Sequence, residues 1–317
     1  EQMPLKGKGF DRMDDEVTYT ASMDGKIEMQ NDRIVVLPVH EVSGNAELAE
    51  GNIDFRGDIV IHGNVESGVN IRATGSITID GVAEACMLEA GKDIILRGGM
   101  LGGNKASVKT KGAITAKFFE FTNILCEGDL QADVLMDCSV ICHGQIRLTG
   151  RKGSIIGGKV QAIRGLIATS LGNDAEKRTE IFVGAGIDVY SRLRVMEKKI
   201  ETTREELAKI EEGLEKFEIL SKERGVSYTN DPRRTSLLRI KIKDSAMLAS
   251  DEEEVRKLRI LAESSKGACV SVLQEIYPGV VINMDELKLA LKNMATGVEF
   301  YKLPDKIGTR PCSAGVE

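Results

Sequence analysis

Between residues 53 and 168, apolar positions follow a pattern that recurs seven times: apolar, any, small, any, glycine-like, any, apolar, any, apolar. The first apolar and small positions are Ile53 and Phe55, Ile71 and Ala73, Leu88 and Ala90, Val108 and Thr110, Ile124 and Cys126, Val140 and Cys142, and Val160 and Ala162. The second apolar pair opens at Ile59, Ile77, Ile94, Ile114, Leu130, Ile146 and Leu166. A period of two predicts strands with one buried face. The glycine-like column reads Gly57, Gly75, Lys92, Gly112, Gly128, Gly144 and Arg164. It is where the chain is expected to turn with positive φ, and Lys92 and Arg164 predict two turns of another kind. Successive copies lie 18, 17, 20, 16, 16 and 20 residues apart, too close for a crossover helix. Each copy is therefore expected to be one coil of a parallel β-helix. Phe55 at a small position suits a terminal coil, where a bulky residue closes the core.

Two longer coils carry insertions, Gly98 to Lys105 and Gly150 to Lys159. The second contains GSIIGGKV (153–160), which has the glycines and lysine of a phosphate-binding loop. It places Val160 where a magnesium-binding hydroxyl would stand. Such a loop needs a helix after it, so that the helix N-terminus faces the phosphates. Val160 instead opens the next coil, so a glycine bulge is expected and nucleotide binding is not. Lys105, Arg151, Lys152 and Lys159 remain candidate interaction residues; the latter three offer an anion their side chains and nearby backbone N–H groups.

The flanks follow other periods. Residues 17–43 predict short strands around an Asp24-Gly25 turn that pair with or cover the first coil. Leu193, Met196, Ile200, Thr203, Leu207, Ile210, Leu214 and Phe217 step alternately by three and four, the seam of a long helix. At ~1.5 Å per residue a helix over 187–223 is ~55 Å long. The run 225–232 breaks it, and Asn230 or Asp231 caps a second helix with Pro232 at its first position. That helix carries a less regular seam of Leu238, Ile242, Leu248, Val255, Leu258 and Ala262, and Asp251 to Glu254 is expected as a solvated face. An antiparallel coiled-coil hairpin follows, with Tyr228, Arg233 and Arg234 at its tip as candidate interaction residues. Alternation resumes at Val270-x-Val272, Val280-x-Ile282 and Val298-x-Phe300, so the hairpin is an insertion; residues 284–296 suit either a short helix or a strand.

Composition narrows the chemistry. The 317 residues include 33 Gly and no Trp, and the net charge of −6 disfavours a nucleic-acid surface. No apolar run approaches the ~18–20 residues of a membrane span. The polar start shows no signal peptide, and Glu1 is expected to follow a truncated upstream region. Six cysteines without a CxxC pair suit reduced thiols in a cytoplasm. Cys126 and Cys142 fall in the small inward column and are expected to pack as small hydrophobes. His143, adjacent to Cys142, points to the opposite face, which disfavours a dyad. Asp129, Asp133 and Asp137 are expected as solvated turn residues. No catalytic, cofactor-binding or metal-ligating residue is expected, and no cofactor.

GNIDFRGDIVIHGNV (51–65), Ala90 to Ile94, GRKGSIIGGKVQA (150–162), Thr179 to Gly184 and YPGVVI (277–282) resemble the bacterial flagellar assembly protein A family over nearly the whole chain. The resemblance implies a mainly β fold: a right-handed parallel β-helix, a single-stranded solenoid of about seven or more coils, with an inserted long α-helical hairpin. It carries over no enzymatic residue. Residues 57–86 also resemble the β-helical C-terminal domain of the division inhibitor MinC, a dimerising module, and bactofilins are a looser comparison. The expected organisation is an N-terminal β cap (1–43), the β-helix (44–186), the hairpin (187–266) and a C-terminal β segment docking back on the coils (267–317). The expected role is a non-catalytic cytoplasmic scaffold in flagellar assembly or placement or cell-surface organisation. Its partner is an unidentified protein or a second copy, through the coiled coil or the solenoid. The alternatives are a polysaccharide-acting β-helix enzyme and a polymerising or dimerising cytoskeletal β-helix.

Overall fold

The computed structural model describes residues 7–13, 18–22, 25–30, 33–225, 227–229 and 231–312. The chain divides into two compact units, residues 185–266 and the remainder.

The larger unit is a parallel β-solenoid of about 8 turns. Its coils stack in three hydrogen-bonded ladders. One enters at Val39–Val42 and aligns His40, Ile59, Ile77, Ile94, Ile114, Leu130, Ile146, Leu166 and Val270 in one inward column. A second aligns the first apolar positions of all seven sequence repeats and extends them through Ile181 and Ile282. The third, not evident as a repeat, stacks Val65, Ala83, Met100, Phe119, Leu135, Ile155, Leu171 and Ile276. Ile59, Ile77, Ile94 and Ile114 are fully buried, and each contributes about 1.5–3 kcal/mol relative to exposure. The small column of the second ladder reads Phe55, Ala73, Ala90, Thr110, Cys126, Cys142, Ala162, Val183 and Met284. Bulky side chains stand only at its ends, where no further coil crowds them.

The glycine column does not need positive φ, contrary to the expectation. Gly57 has φ +144°, but Gly75, Gly112, Gly128 and Gly144 do not lie in the left-handed region. Close approach between coils is what requires glycine. A Cβ on Gly128 would lie 2.6 Å from the Gly112 carbonyl oxygen, and one on Gly144 2.4 Å from that of Gly128. The backbone bonds run straight through the column: Gly75 N–H donates to Gly57 (2.9 Å), Lys92 to Gly75 (3.1 Å), Gly128 to Gly112 (2.9 Å) and Arg164 to Gly144 (3.1 Å). Where Lys92 and Arg164 occupy the column, the glycine shifts by one position. A Cβ on Gly91 would lie 2.1 Å from the Thr74 oxygen, and Gly165 has φ +110°.

At the entry end, His40 occupies an inward position ahead of Ile59, with its ring 5.5 Å from Phe55. Burial lowers its pKa, Lys26 lowers it further, and Glu28 opposes. The unfolded chain therefore binds the proton more readily than the folded one. The stability from a neutral His40 is present above its ordinary pKa of about 6.5 and is lost as pH falls through the lower folded value. The melting temperature should drop between pH 7.5 and 5.5, and His40→Phe should flatten that part of the profile; an unchanged slope in the variant would contradict this. Residues Lys26–Gln30 and Arg33–Leu37 form an antiparallel pair of their own. The expected Asp24-Gly25 turn falls in part on Asp24, outside the described residues.

After the helical insertion the chain returns to the solenoid. Cys269–Ile276 and Val280–Met284 extend the ladders, and the sheet then turns antiparallel through Leu287–Ala290, Ala295–Lys302 and Ile307–Pro311. The undecided stretch 284–296 thus contains a strand.

The smaller unit is a pair of packed helices, α1 (Gly186–Arg224) and α2 (Pro232–Ser264). Gly225 ends α1 at φ +65°, and the Asp231 side chain caps α2 by accepting the Arg233 N–H at 2.8 Å, with Pro232 in the first turn. All eight predicted seam residues of α1 are buried or half-buried. The ion pairs Arg192–Glu254, Lys199–Asp251 and Glu211–Lys241 run in antiparallel order, and Arg204–Glu252 adds a fourth cross-helix pair. Two expectations for α2 are corrected. Ile242 is 71% exposed and lies off the seam, because the heptad phase toward the tip turns Lys241 and Asp244 inward instead. In the run Asp251 to Glu254, Glu252 and Glu253 are exposed as expected, but Asp251 is not solvated: it is 8% exposed and 2.7 Å from the Lys199 ammonium. Asp251→Ala should weaken the helix pair by about 1–2 kcal/mol, the lower range for a bond to a charged group since Lys199 can rehydrate. A melt followed by helical circular dichroism checks this, and no change would mean the pair is inert.

Candidate functional site

The glycine-rich segments do not form one basic site. Lys105 lies within a continuous strand, Met100–Thr110, where the register shifts between Leu101 and Ala106. Asn104 adopts φ +61° and Gly103 φ +55° to accommodate this bulge. Lys159 stands three rungs beyond Ser107 in the second ladder, so at ~4.8 Å per rung it lies about 14 Å along the stack from the coil that carries Lys105. Arg151 and Lys152 occupy a different corner, between the first and third ladders. All four side chains are exposed. The strand Gly158–Ala162 follows directly where a phosphate loop would start a helix. Gly157 and Gly158 adopt φ +73° and +77°. A Cβ on Gly158 would lie 2.3 Å from the Cys138 carbonyl oxygen. The Lys159 ammonium sits 4.5 Å from the centre of the Phe182 ring, a cation–π contact.

Burial holds two of the thiols away from nucleophilic chemistry, whereas the hydrogen bond with Cys142 lowers the pKa of Cys126. Burial pushes Cys86 up to about 12 and Cys138 up to about 11. Cys126 and Cys142 face each other on adjacent rungs, and their mutual hydrogen bond together with burial raises Cys142. Cys142 also donates to the Gly128 carbonyl at 3.2 Å. Asp129 accepts the Gln145 N–H at 2.8 Å and pairs with Arg164, and Asp137 pairs with Lys177. No group of three or more His, Cys, Asp or Glu among the described residues is placed to hold a metal ion. No helix among them is long and apolar enough to cross a membrane.

At the hairpin tip, the half-buried Tyr228 ring lies 6.2 Å from that of Phe217, which fixes the connection against α1. Arg233 is exposed and Arg234 half-buried. A second surface of the hairpin was not foreseen. On one flank, α1 and α2 bound a groove of about 1300 Å³ with Ile200 and Val255 in its lining. Across it Glu197 takes Arg259 at 2.6 Å and Arg204 takes Glu252 at 2.5 Å. Its charged residues follow helical spacing and read as an ordinary solvated face until the second helix is placed beside the first.

The features that stand out are thus a three-laddered solenoid, four buried thiols, and a helical pair with an exposed tip and a charged flank groove. A family model for the Flagellar Assembly Protein A β-solenoid domain, FapA, matches residues 38–307. No curated protein and no solved structure matches the chain.

Proposed function

The chain belongs to the flagellar assembly protein A family, and from that membership we propose that it is a non-catalytic scaffold whose β-solenoid carries a helical hairpin as its interaction arm. The observation that carries this role is the hairpin itself. Seventy-odd helical residues are inserted between two solenoid strands that already have ladder partners of their own, Gly158–Ala162 and Leu166–Leu171. An insertion of that size is not needed to complete the coils. The partner is a protein, met through the coiled-coil face or through the tip residues Tyr228, Arg233 and Arg234. The place of action is the cytoplasm, in flagellar assembly or placement or in cell-surface organisation. Lys105, Arg151, Lys152 and Lys159 are secondary contact residues along the solenoid.

Several observations weigh against the polysaccharide-acting alternative. A hydrolase or lyase on such a fold needs clustered acids with Arg or Lys in a cleft and a pKa poised for proton transfer. The shifted pKa values among the described residues belong to cysteines, to Tyr277 and to His40 at the solenoid's end. Capture from a native lysate, comparing the whole chain with a variant in which a short linker replaces residues 185–266, tests the role. Partners should be captured by the whole chain only. Identical partner sets would move the function to the solenoid.

A further inference from the structure

Of the four buried thiols, Cys126 and Cys142 are brought together by the stacking of the coils. We propose that they form a redox-active pair, in which hydrogen peroxide converts the two thiols into a reversible disulfide that staples one coil to the next. This goes beyond the interaction-arm role and does not depend on it.

The ladder sets the geometry. Cys126 and Cys142 are in register on adjacent parallel rungs and both point into the core. Both Sγ atoms reach one acceptor, the Gly128 carbonyl oxygen, at 3.4 Å and 3.2 Å. Neighbouring strands run ~4.8 Å apart, inside the ~4.4–6.8 Å between Cα atoms that a disulfide spans. In-register side chains on parallel strands leave their Cβ atoms at about that same spacing, slightly beyond the ~3.5–4.5 Å a disulfide prefers. The bond therefore draws two coils together and is strained, which makes it easy to reduce. The adjoining corner column of Gly112, Gly128 and Gly144 holds no Cβ to oppose that movement.

The other two buried thiols are not so placed. Met87 and Ser139, which follow Cys86 and Cys138, stand three rungs apart in the second ladder, about 14 Å at ~4.8 Å per rung. Cys138 and Cys142 lie four residues apart along one strand, about 13 Å at ~3.3 Å per residue.

The contact between the pair also assigns their roles. The hydrogen bond from Cys142 lowers the pKa of Cys126 and raises that of Cys142, so Cys126 supplies the thiolate. It attacks one peroxide oxygen, the O–O bond breaks, and the leaving hydroxide takes up a proton to become water. Cys126 is then a sulfenic acid. The Cys142 sulfur attacks it, the S–O bond breaks, and the oxygen leaves as water with the Cys142 proton. Two thiols have given up two electrons and two protons, and one peroxide has become two waters. The pair lies directly under the corner Gly128–Asp129, where Asp129 is exposed. A local opening of that corner admits a molecule barely larger than water.

Peroxide treatment of the folded full chain, followed by blocking of free thiols in denaturant and mass spectrometry, tests this. Tryptic cleavage leaves Cys126, Cys138 and Cys142 in one peptide, 118–147. After oxidation that peptide should resist blocking at two sulfurs and stay joined when cut before Asp129, Asp133 and Asp137. Cys138→Ala should keep the bond, and Cys126→Ala and Cys142→Ala should each abolish it. Cys126→Ser and Cys142→Ser serve as second variants should alanine disturb folding, since Thr110 already places a hydroxyl in this column. Dithiothreitol without denaturant should reopen the bond. Thiols that stay reduced in the folded chain, a bond that joins Cys138, or a sulfinic acid on Cys126 without a bond would overturn the proposal. A bond that opens only in denaturant would overturn its reversibility.

Discussion

Replacing Gly128 by alanine should lower the solenoid's melting temperature by several degrees, and far more than the same change at Gly44. A Cβ on Gly128 would stand 2.6 Å from the oxygen and 2.7 Å from the carbon of Gly112, and 2.9 Å from the Ala113 nitrogen. All three are backbone atoms of the coil below, held by the Gly128 N–H to Gly112 oxygen bond of 2.9 Å. They cannot rotate aside as a side chain would, so the coils must separate at that corner. Overpacking of this kind costs about 1–3 kcal/mol and occasionally more. At roughly 2–4 °C per kcal/mol for a domain of comparable size, that is a fall of about 2–12 °C. Gly44 has nothing within 4 Å of an added Cβ, and Gly44→Ala should stay within about 0.5 kcal/mol of the parent. Equal effects at the two sites would mean that coil spacing is not what selects glycine.

The same column shows which parts of the fold are legible in a sequence. Ile71, Leu88 and Val108 recur with their small partners because a strand with two inward residues produces an alternation that stands above chance. The third ladder was hidden because each coil pairs only two or three residues in it and places one large residue inward, as Met100, Phe119 and Leu135 do, which leaves no alternation to detect. The chain's need for glycine was visible, but its cause was not. Positive φ and close approach select the same residue, and only neighbouring coils distinguish them. Lys92 and Arg164 looked like breaks, although Gly91 and Gly165 supply the missing room one position away.

The hairpin was legible in the same uneven way. The α1 seam from Leu193 to Phe217 followed from its spacing, and Pro232 with Asp231 located the second start. On α2, Ile242 was assigned inward because it is apolar, and Asp251 outward because it is charged; each lies on the other side. A heptad read from hydrophobicity cannot see that Lys199 stands opposite Asp251. The groove was illegible for a related reason. Glu197, Glu201 and Glu205 on one helix become a rim only when Arg256 and Arg259 lie across from them.

The second large effect is expected from excising the hairpin. Outside α1 and α2, the helix among the described residues is the single turn Leu48–Glu50. The flanking strands Thr179–Val183 and Cys269–Ile276 keep their ladder neighbours without it. A short flexible linker from Gly184 to Gly267, both already in left-handed conformations that suit a turn, should therefore leave the coils folded. The buried core cluster of the solenoid includes no residue of 185–266, so the excision removes none of its core side chains. The partner captures described above should then be lost with the arm rather than with the fold.

Circular dichroism of that excised variant, with a thermal melt, tests most directly the claim that a self-sufficient solenoid carries a separable helical arm. The account predicts loss of nearly all helical signal, a retained β spectrum and a cooperative transition close to the parent's solenoid melt. An unfolded spectrum or a melt without a transition would contradict it, because the helices would then be part of what holds the coils together.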